Sequence, residues 1–287
     1  MNIPDEGRKQ SGYVICTTGR SGSSYLCQLL ESTGILGLPR EYFNTAARRL
    51  RDDIEYPTDP AAQIDWVLSK GTTPNQIYGL KIFPTQIDGL KKFPWAERLP
   101  RLHFVHLARD SLVDQAISGV RAQQTAQWRS TDNPRRAVRY DAVGISRNLR
   151  NIAVEDARWR LFFARNGLNP LRLRYEDVLA SPQSAVDQIA RYLGVSEPAT
   201  IQWDKVDIAV QRDSQSAAWN ARFLAEIADL SSVDVVDVGV LSALRRIKAP
   251  VQRFLDRFGF RQYQGQPVKS PMQGASSLRN IDRRRAR

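Results

Sequence analysis

Cysteine is scarce in this sequence: Cys16 and Cys27 are the only two among 287 residues, too few for a disulfide framework. One falls in an apolar run and the other in a helical pattern, so both read as small core residues. Long apolar runs are missing too. Nothing approaches the ~20 consecutive apolar residues that a spanning helix needs. The opening stretch MNIPDEGRKQSG is polar and has no signal-peptide core. The expectation is a soluble, cytoplasmic protein with no stable membrane insertion. Also lacking is the Gly-Lys-Ser/Thr ending of a Walker A loop, and no convincing Walker B aspartate follows an apolar strand. These gaps count against a magnesium-dependent kinase or GTPase.

What is present is enough to fold. Hydrophobic residues make up 42% of the chain, which supports a sizeable core. The formal net charge is +12, and from Arg261 onward seven basic residues face Asp282 alone. Half of the excess thus sits in a Gln-, Ser- and Gly-rich end that reads as a solvated, mobile tail. The rest is only moderately basic, which suits an anionic ligand and does not require a polymer. The expected organisation is a polar lead over 1–11, a main domain over 12–230, a helical appendage over 231–260 and the basic tail over 261–287.

Strands are expected at 13–17, 78–83 (YGLKIF), 102–108 (LHFVHLA) and 170–175, and helices at 21–32, from Pro60, from Leu112, over 145–166 and from Pro182. Asp59, Ser111 and Ser181 stand where N-caps belong. Alternating strands and helices predict an α/β fold, a parallel sheet covered on both faces. Residues 128–140 are polar and arginine-rich and read as an exposed loop or lid.

Three stretches carry chemistry. Thr18-Gly19-Arg20-Ser21-Gly22-Ser23-Ser24 follows a strand and opens a helix, the setting of an anion-binding loop that uses backbone N–H groups and the helix dipole. Arg109 ends the third strand, where ligands of open α/β sheets collect, and Ser118 lies two turns into the next helix. The loop GLPREYFN places Glu41 just beyond the first helix, and a carboxylate beside an electrophile can take the proton of an attacking hydroxyl. Lys81, inside an otherwise apolar strand, either snorkels or reaches the ligand edge of the sheet. The two histidines, His103 and His106, read as core or edge residues. Trp128, Trp159 and Trp219 read as core, with stacking on a ligand as the alternative. On these residues alone, three functions stay open: a transferase of an activated anionic group, a kinase-like phosphate-loop enzyme, and a basic protein binding nucleic acid or a membrane surface.

In combination the motifs resemble the sulfotransferase superfamily, and most of all the bacterial trehalose 2-sulfotransferases and nodulation-type carbohydrate sulfotransferases. TTGRSGSSYL is similar to that family's 5′-phosphosulfate loop and GLPREYFN to the loop with its catalytic glutamate. YGLKIF and LARDSLVDQAISGVRAQQTAQW resemble its second strand and its 3′-phosphate segment, and LRLRYEDVLASPQSAVDQIARYLGV resembles the superfamily's Tyr-Glu-Asp segment. The resemblance implies a fold like that of P-loop NTPases and a PAPS (3′-phosphoadenosine 5′-phosphosulfate) donor. It implies that Arg20, Ser21, Gly22, Ser23 and Ser24 hold the 5′-phosphosulfate and that Arg109 and Ser118 hold the 3′-phosphate. Glu41 is then the general base, with Arg20 beside it in catalysis. The acceptor implied is a carbohydrate, with no metal and no nucleic-acid partner. A homodimer is compatible with the resemblance and rests on nothing else.

Overall fold

The strand that opens the fold, β1 (Ser11–Thr17), is buried from its second residue onward, because a parallel strand at the centre of a sheet is covered on both faces. A computed structural model describes residues 10–51, 55–128, 137–208 and 214–234. β1 is flanked by β2 (Ile77–Ile82) and β3 (Leu102–Ala108), and β4 (Leu171–Arg174) extends the sheet to the order β2-β1-β3-β4, every pair parallel. The helices are α1 (Ser23–Ser32), α2 (Thr45–Arg51), α3 (Pro60–Lys70), α4 (Pro84–Gly89), α5 (Leu112–Thr125), α6 (Ala142–Arg165), α7 (Tyr175–Ala180), α8 (Pro182–Tyr192) and α9 (Ser214–Ile227). The chain runs from β1 outward to β2, then crosses back to β3 on the other side of β1. The order therefore reverses between β1 and β3, and a crevice opens outside their carboxyl ends.

Period-two alternation divides the core. Tyr13, Ile15, Val105 and Leu107 pack with Leu26, Leu29 and Leu30 of α1 and with Val186 and Ile189 of α8. On the opposite face Val14, Cys16 and Leu80 pack with Val67 of α3 and with Trp159 and Phe163 of α6. The helical period over α6 expects Ile145, Leu149, Ile152, Trp159 and Phe163 on one stripe; four of these are buried and Leu149 is partly buried against the core. Cys16 and Cys27 are both buried, and burial pushes the Cys16 thiol well up, so it stays protonated in the core. No helix among the described residues is long and apolar enough to cross a membrane.

Most expected elements fall within two residues of their places; some caps differ. Asp59 caps α3 by accepting a bond from Ala62 N–H at 2.9 Å. Ser111 occupies the N-cap of α5, but its hydroxyl donates to the Asp114 carboxylate at 2.7 Å and accepts no capping bond from the helix N–H groups. Ser181 sits at the N-cap of α8 without a side-chain cap bond. The segment 235–260 of the expected helical appendage, the basic tail after it and residues 129–136 of the expected lid lie outside the described residues.

Candidate active site

The glycine-serine loop lies at the reversal point, between β1 and α1. Arg20 and Gly22 both have left-handed backbones, with φ of 63° and 81°. At Gly22 a side chain is impossible for a second reason: a Cβ there would lie 2.1 Å from the Tyr175 ring. Gly22 is the N-cap of α1 and brings no side chain to cap it. The N–H groups of Ser23 and Ser24 start the helix with no intrahelical acceptor, which is what makes a helix start attract anions. The Ser21 hydroxyl is engaged inward, 2.6 Å from Thr17 Oγ1, whose own proton goes to the Leu107 carbonyl. Trp159 Nε1 donates to the Thr17 carbonyl at 2.9 Å and fixes the end of β1 from the other face.

Arg20 reaches sideways from this loop. Its Nε donates to Ser118 Oγ at 2.9 Å and its Nη1 to the Trp128 carbonyl. Arg109 Nη1 is 3.5 Å from the Arg20 carbonyl, and the Arg109 guanidinium lies 4.9 Å from the centre of the Tyr175 ring. Arg20, Arg109 and Ser118, assigned from sequence to two separate phosphates, therefore line one cavity of about 530 Å³. Arg121 and Ser216 also line it, joined to each other by a hydrogen bond. Three guanidinium groups beside a helix start suit a polyanionic ligand. Neither Arg121 nor Ser216 was visible as a site residue, because Ser216 belongs to α9, almost 100 positions along the chain.

Glu41 owes its place to the sheet. Arg40 forms a parallel bridge with Leu80, and Lys81 N–H donates to the Arg40 carbonyl at 2.9 Å. Gly37 lets the loop come this close, since a Cβ there would lie 2.5 Å from Gly79 N. On β2 the alternation turns Leu80 and Ile82 into the core and Lys81 towards α1. Lys81 Nζ then lies 2.9 Å from Glu41 Oε1 and donates to Ser24 Oγ at 3.3 Å. Glu41 Oε2 accepts from Asn44 Nδ2 at 2.8 Å and from Gln86 Nε2 at 3.4 Å. Glu41, Lys81 and Ser24 share a second cavity of about 290 Å³, which also meets Glu31, Arg40, Arg48 and Lys205. Of the two options for Lys81, the structure takes the ligand edge.

Tyr175, Glu176 and Asp177 hold more than the fourth strand and its helix. Tyr175 supports Gly22 and Arg109, and the Glu176 carboxylate accepts from the N–H groups of Asp110 and Ser111 at 3.2 and 3.4 Å. Arg174 pairs with both Asp177 and Asp110. The histidines are occupied elsewhere: His106 Nε2 lies 3.2 Å from Asp156, and His103 Nδ1 lies 3.2 Å from the Gly12 carbonyl. Trp159 and Trp219 are core, as expected. Trp128 corrects the expectation, because its side chain is 50% exposed at the rim beside Arg20.

The family model described as Stf0 sulphotransferase matches residues 12–226. The chain is 27% identical to a trehalose 2-sulfotransferase of Mycobacterium tuberculosis (strain ATCC 35801 / TMC 107 / Erdman), over 75% of this chain and 94% of that protein. It is 26% identical to the protein of the same name from Mycolicibacterium smegmatis, over 74% of this chain and 94% of that one. Among solved structures, a sulfotransferase from Alicyclobacillus acidocaldarius covers 83% of this chain and all of its own length, at 17% identity and a TM-score of 0.42.

Proposed function

The chain belongs to the Stf0 sulphotransferase family, and on that footing we propose that it moves the sulfuryl group of PAPS onto a hydroxyl of a carbohydrate, trehalose or a related sugar. One observation carries this reading. Ser24 at the end of the anion loop, the carboxylate of Glu41 and the ammonium of Lys81 line one cavity, with Lys81 within 3.3 Å of both partners. That arrangement supports Ser24 as part of a donor anchor and Glu41 as a proton acceptor.

In the proposed reaction the acceptor oxygen attacks sulfur in line, and the bond from sulfur to the bridging oxygen of the donor breaks. Adenosine 3′,5′-bisphosphate leaves, and the acceptor proton passes to Glu41. The start of α1 and Arg20 face the charge growing on the bridging oxygen, where each well-placed donor is worth about 3–4 kcal/mol. Arg109 and Ser118 take the 3′-phosphate. The bond from Arg20 to Ser118 supports a place for Arg20 between the two ends of the donor.

The test is Glu41→Gln. The amide keeps the shape and loses the proton acceptor, so the affinity for adenosine 3′,5′-bisphosphate should stay while sulfation of trehalose falls at least ~100-fold. Near-normal turnover would remove Glu41 from the mechanism.

A further inference from the structure

Helix α2 buries charge and exposes an apolar residue, the reverse of an ordinary surface helix. In its sequence TAARRLR the leucine, Leu50, is 82% exposed, while Arg48 is buried. Arginine is among the residues least often buried, because its charge is costly to take from water. The Arg48 guanidinium lies 5.9 Å from the centre of the Tyr42 ring, and Arg48 lines the cavity that holds Glu41, Lys81 and Ser24.

That cavity runs along α1. At its near end Lys81 joins Ser24 to Glu41. About two turns further along the helix, Glu31 is paired with Arg40 at 2.6 Å. The segment 202–208 is pinned to the same half of α1. Gln202 N–H donates to Ser32 Oγ at 3.3 Å, and Ile208 N–H to Gln28 Oε1 at 2.9 Å. Lys205, between them, also lines the cavity. Among the described residues of the lining, four cations stand against two carboxylates.

The donor makes no demand on Arg40, Arg48 or Lys205. In the proposed reaction its charge is met by the start of α1 and by Arg20, Arg109 and Ser118, which line the other cavity. The far half of α1 lies towards the negative end of the helix dipole, so an anion held there depends on side-chain cations.

We propose that the cavity along α1 takes a phosphorylated sugar as acceptor, with the attacking hydroxyl at Glu41 and the phosphate at Arg40, Arg48 and Lys205. The inference rests on the sulfotransfer reading and specifies the charge of its acceptor. A phosphomonoester carries about −1.5 to −2 charges at pH 7, which matches the two cations in excess. Guanidinium groups meet its oxygens with paired N–H donors. The side chains of the Arg40–Glu31 pair are roughly a third exposed, so Arg40 can exchange its partner at little cost.

The experiment compares two pairs of acceptors, trehalose with trehalose 6-phosphate and glucose with glucose 6-phosphate. Turnover is read by mass spectrometry with labelled donor. Affinity is read by calorimetry on the chain saturated with adenosine 3′,5′-bisphosphate, which keeps a sugar phosphate out of the donor site. In at least one pair the phosphorylated sugar should lead by ~10–100-fold in both kcat/KM and affinity, the range of one charge-assisted hydrogen bond. Arg48→Gln should abolish that lead. Lys205→Gln, at an exposed position that the core does not depend on, should cut it ~3-fold or more. Equal values within both pairs, a lead that neither substitution alters, or binding of the phosphates without turnover overturns the proposal while the bisphosphate still binds. Failure of the unsubstituted chain to bind that bisphosphate overturns the sulfotransfer reading itself, and the charged acceptor with it.

Discussion

Lys81 and Glu41 are joined twice, through the ion pair at 2.9 Å and through the Lys81 N–H bond to the carbonyl of Arg40, one residue before the carboxylate. The side-chain pair sets the direction of the carboxylate, and the backbone bond sets the height of its loop on the sheet. Lys81 is 5% exposed, and an ammonium this deep needs its partners.

Removing that ammonium separates the two roles. Lys81→Met keeps the length of the side chain and the backbone bond but leaves Glu41 facing an apolar group. Truncating one partner of such a pair costs about 2–5 kcal/mol, so kcat should fall ~100-fold with a far smaller change in the Kd of adenosine 3′,5′-bisphosphate. Equal losses in kcat and Kd would show that the lysine serves the donor loop alone.

The 3′-phosphate assignment can be read by subtraction. Arg109→Ala should weaken adenosine 3′,5′-bisphosphate by ~10–100-fold, a loss of about 1.5–3 kcal/mol for a charge-assisted hydrogen bond, and leave adenosine 5′-monophosphate almost unaffected. Thermal shifts should also rank the bisphosphate above ATP for the unsubstituted chain. The opposite ranking would favour a kinase-like ligand.

Gly22→Ala tests the loop's support. The left-handed backbone alone costs a non-glycine residue roughly 1–2 kcal/mol, and the added methyl meets the Tyr175 ring. The urea midpoint should drop and the bisphosphate affinity with it. In Gly22→Ala with Tyr175→Ala the clash is gone, and part of the stability should return while the backbone cost remains.

Asp156 supplies a pH prediction away from the site. Burial raises its pKa, but the neighbouring His106 and Arg160 outweigh burial and hold the carboxyl below its ordinary value. A depressed folded pKa stabilises the protein above the unfolded value of ~3.9, and that stability is lost as pH falls through the folded value. Asp156→Asn should therefore be less stable than the parent at neutral pH, with the gap closing below about pH 4. A gap that persists at pH 2–3 would trace the loss to packing.

Much of this architecture can be read from periodicity. The burial of β1 and β3 follows from short apolar runs, and the α6 stripe from a helical repeat sustained from Ile145 to Phe163. The order of the sheet is not local information, and the meeting of Lys81 with Glu41 depends on it. Their contact spans 40 positions and exists only because Arg40 bridges to Leu80. The short helices α2, α4 and α7 escaped notice because six or seven residues are too few to repeat a pattern. Trp128 was misjudged for another reason: a large aromatic side chain suggests burial, while its carbonyl is tied down by Arg20 and its ring is left at the rim.

The bridge between Arg40 and Leu80 makes the position of Glu41 answer to a count of residues. Side chains along an extended segment change face at every step. Deleting one residue between Gly37 and Arg40 would bring Tyr42 to the position beside Lys81 and carry the carboxylate away. After Asn44 the chain enters α2 and no longer pairs with the sheet, so length can vary there at little cost. The place of Glu41 beside Lys81 is thus fixed by spacing over a few residues, while the segment immediately beyond Asn44 carries no such constraint.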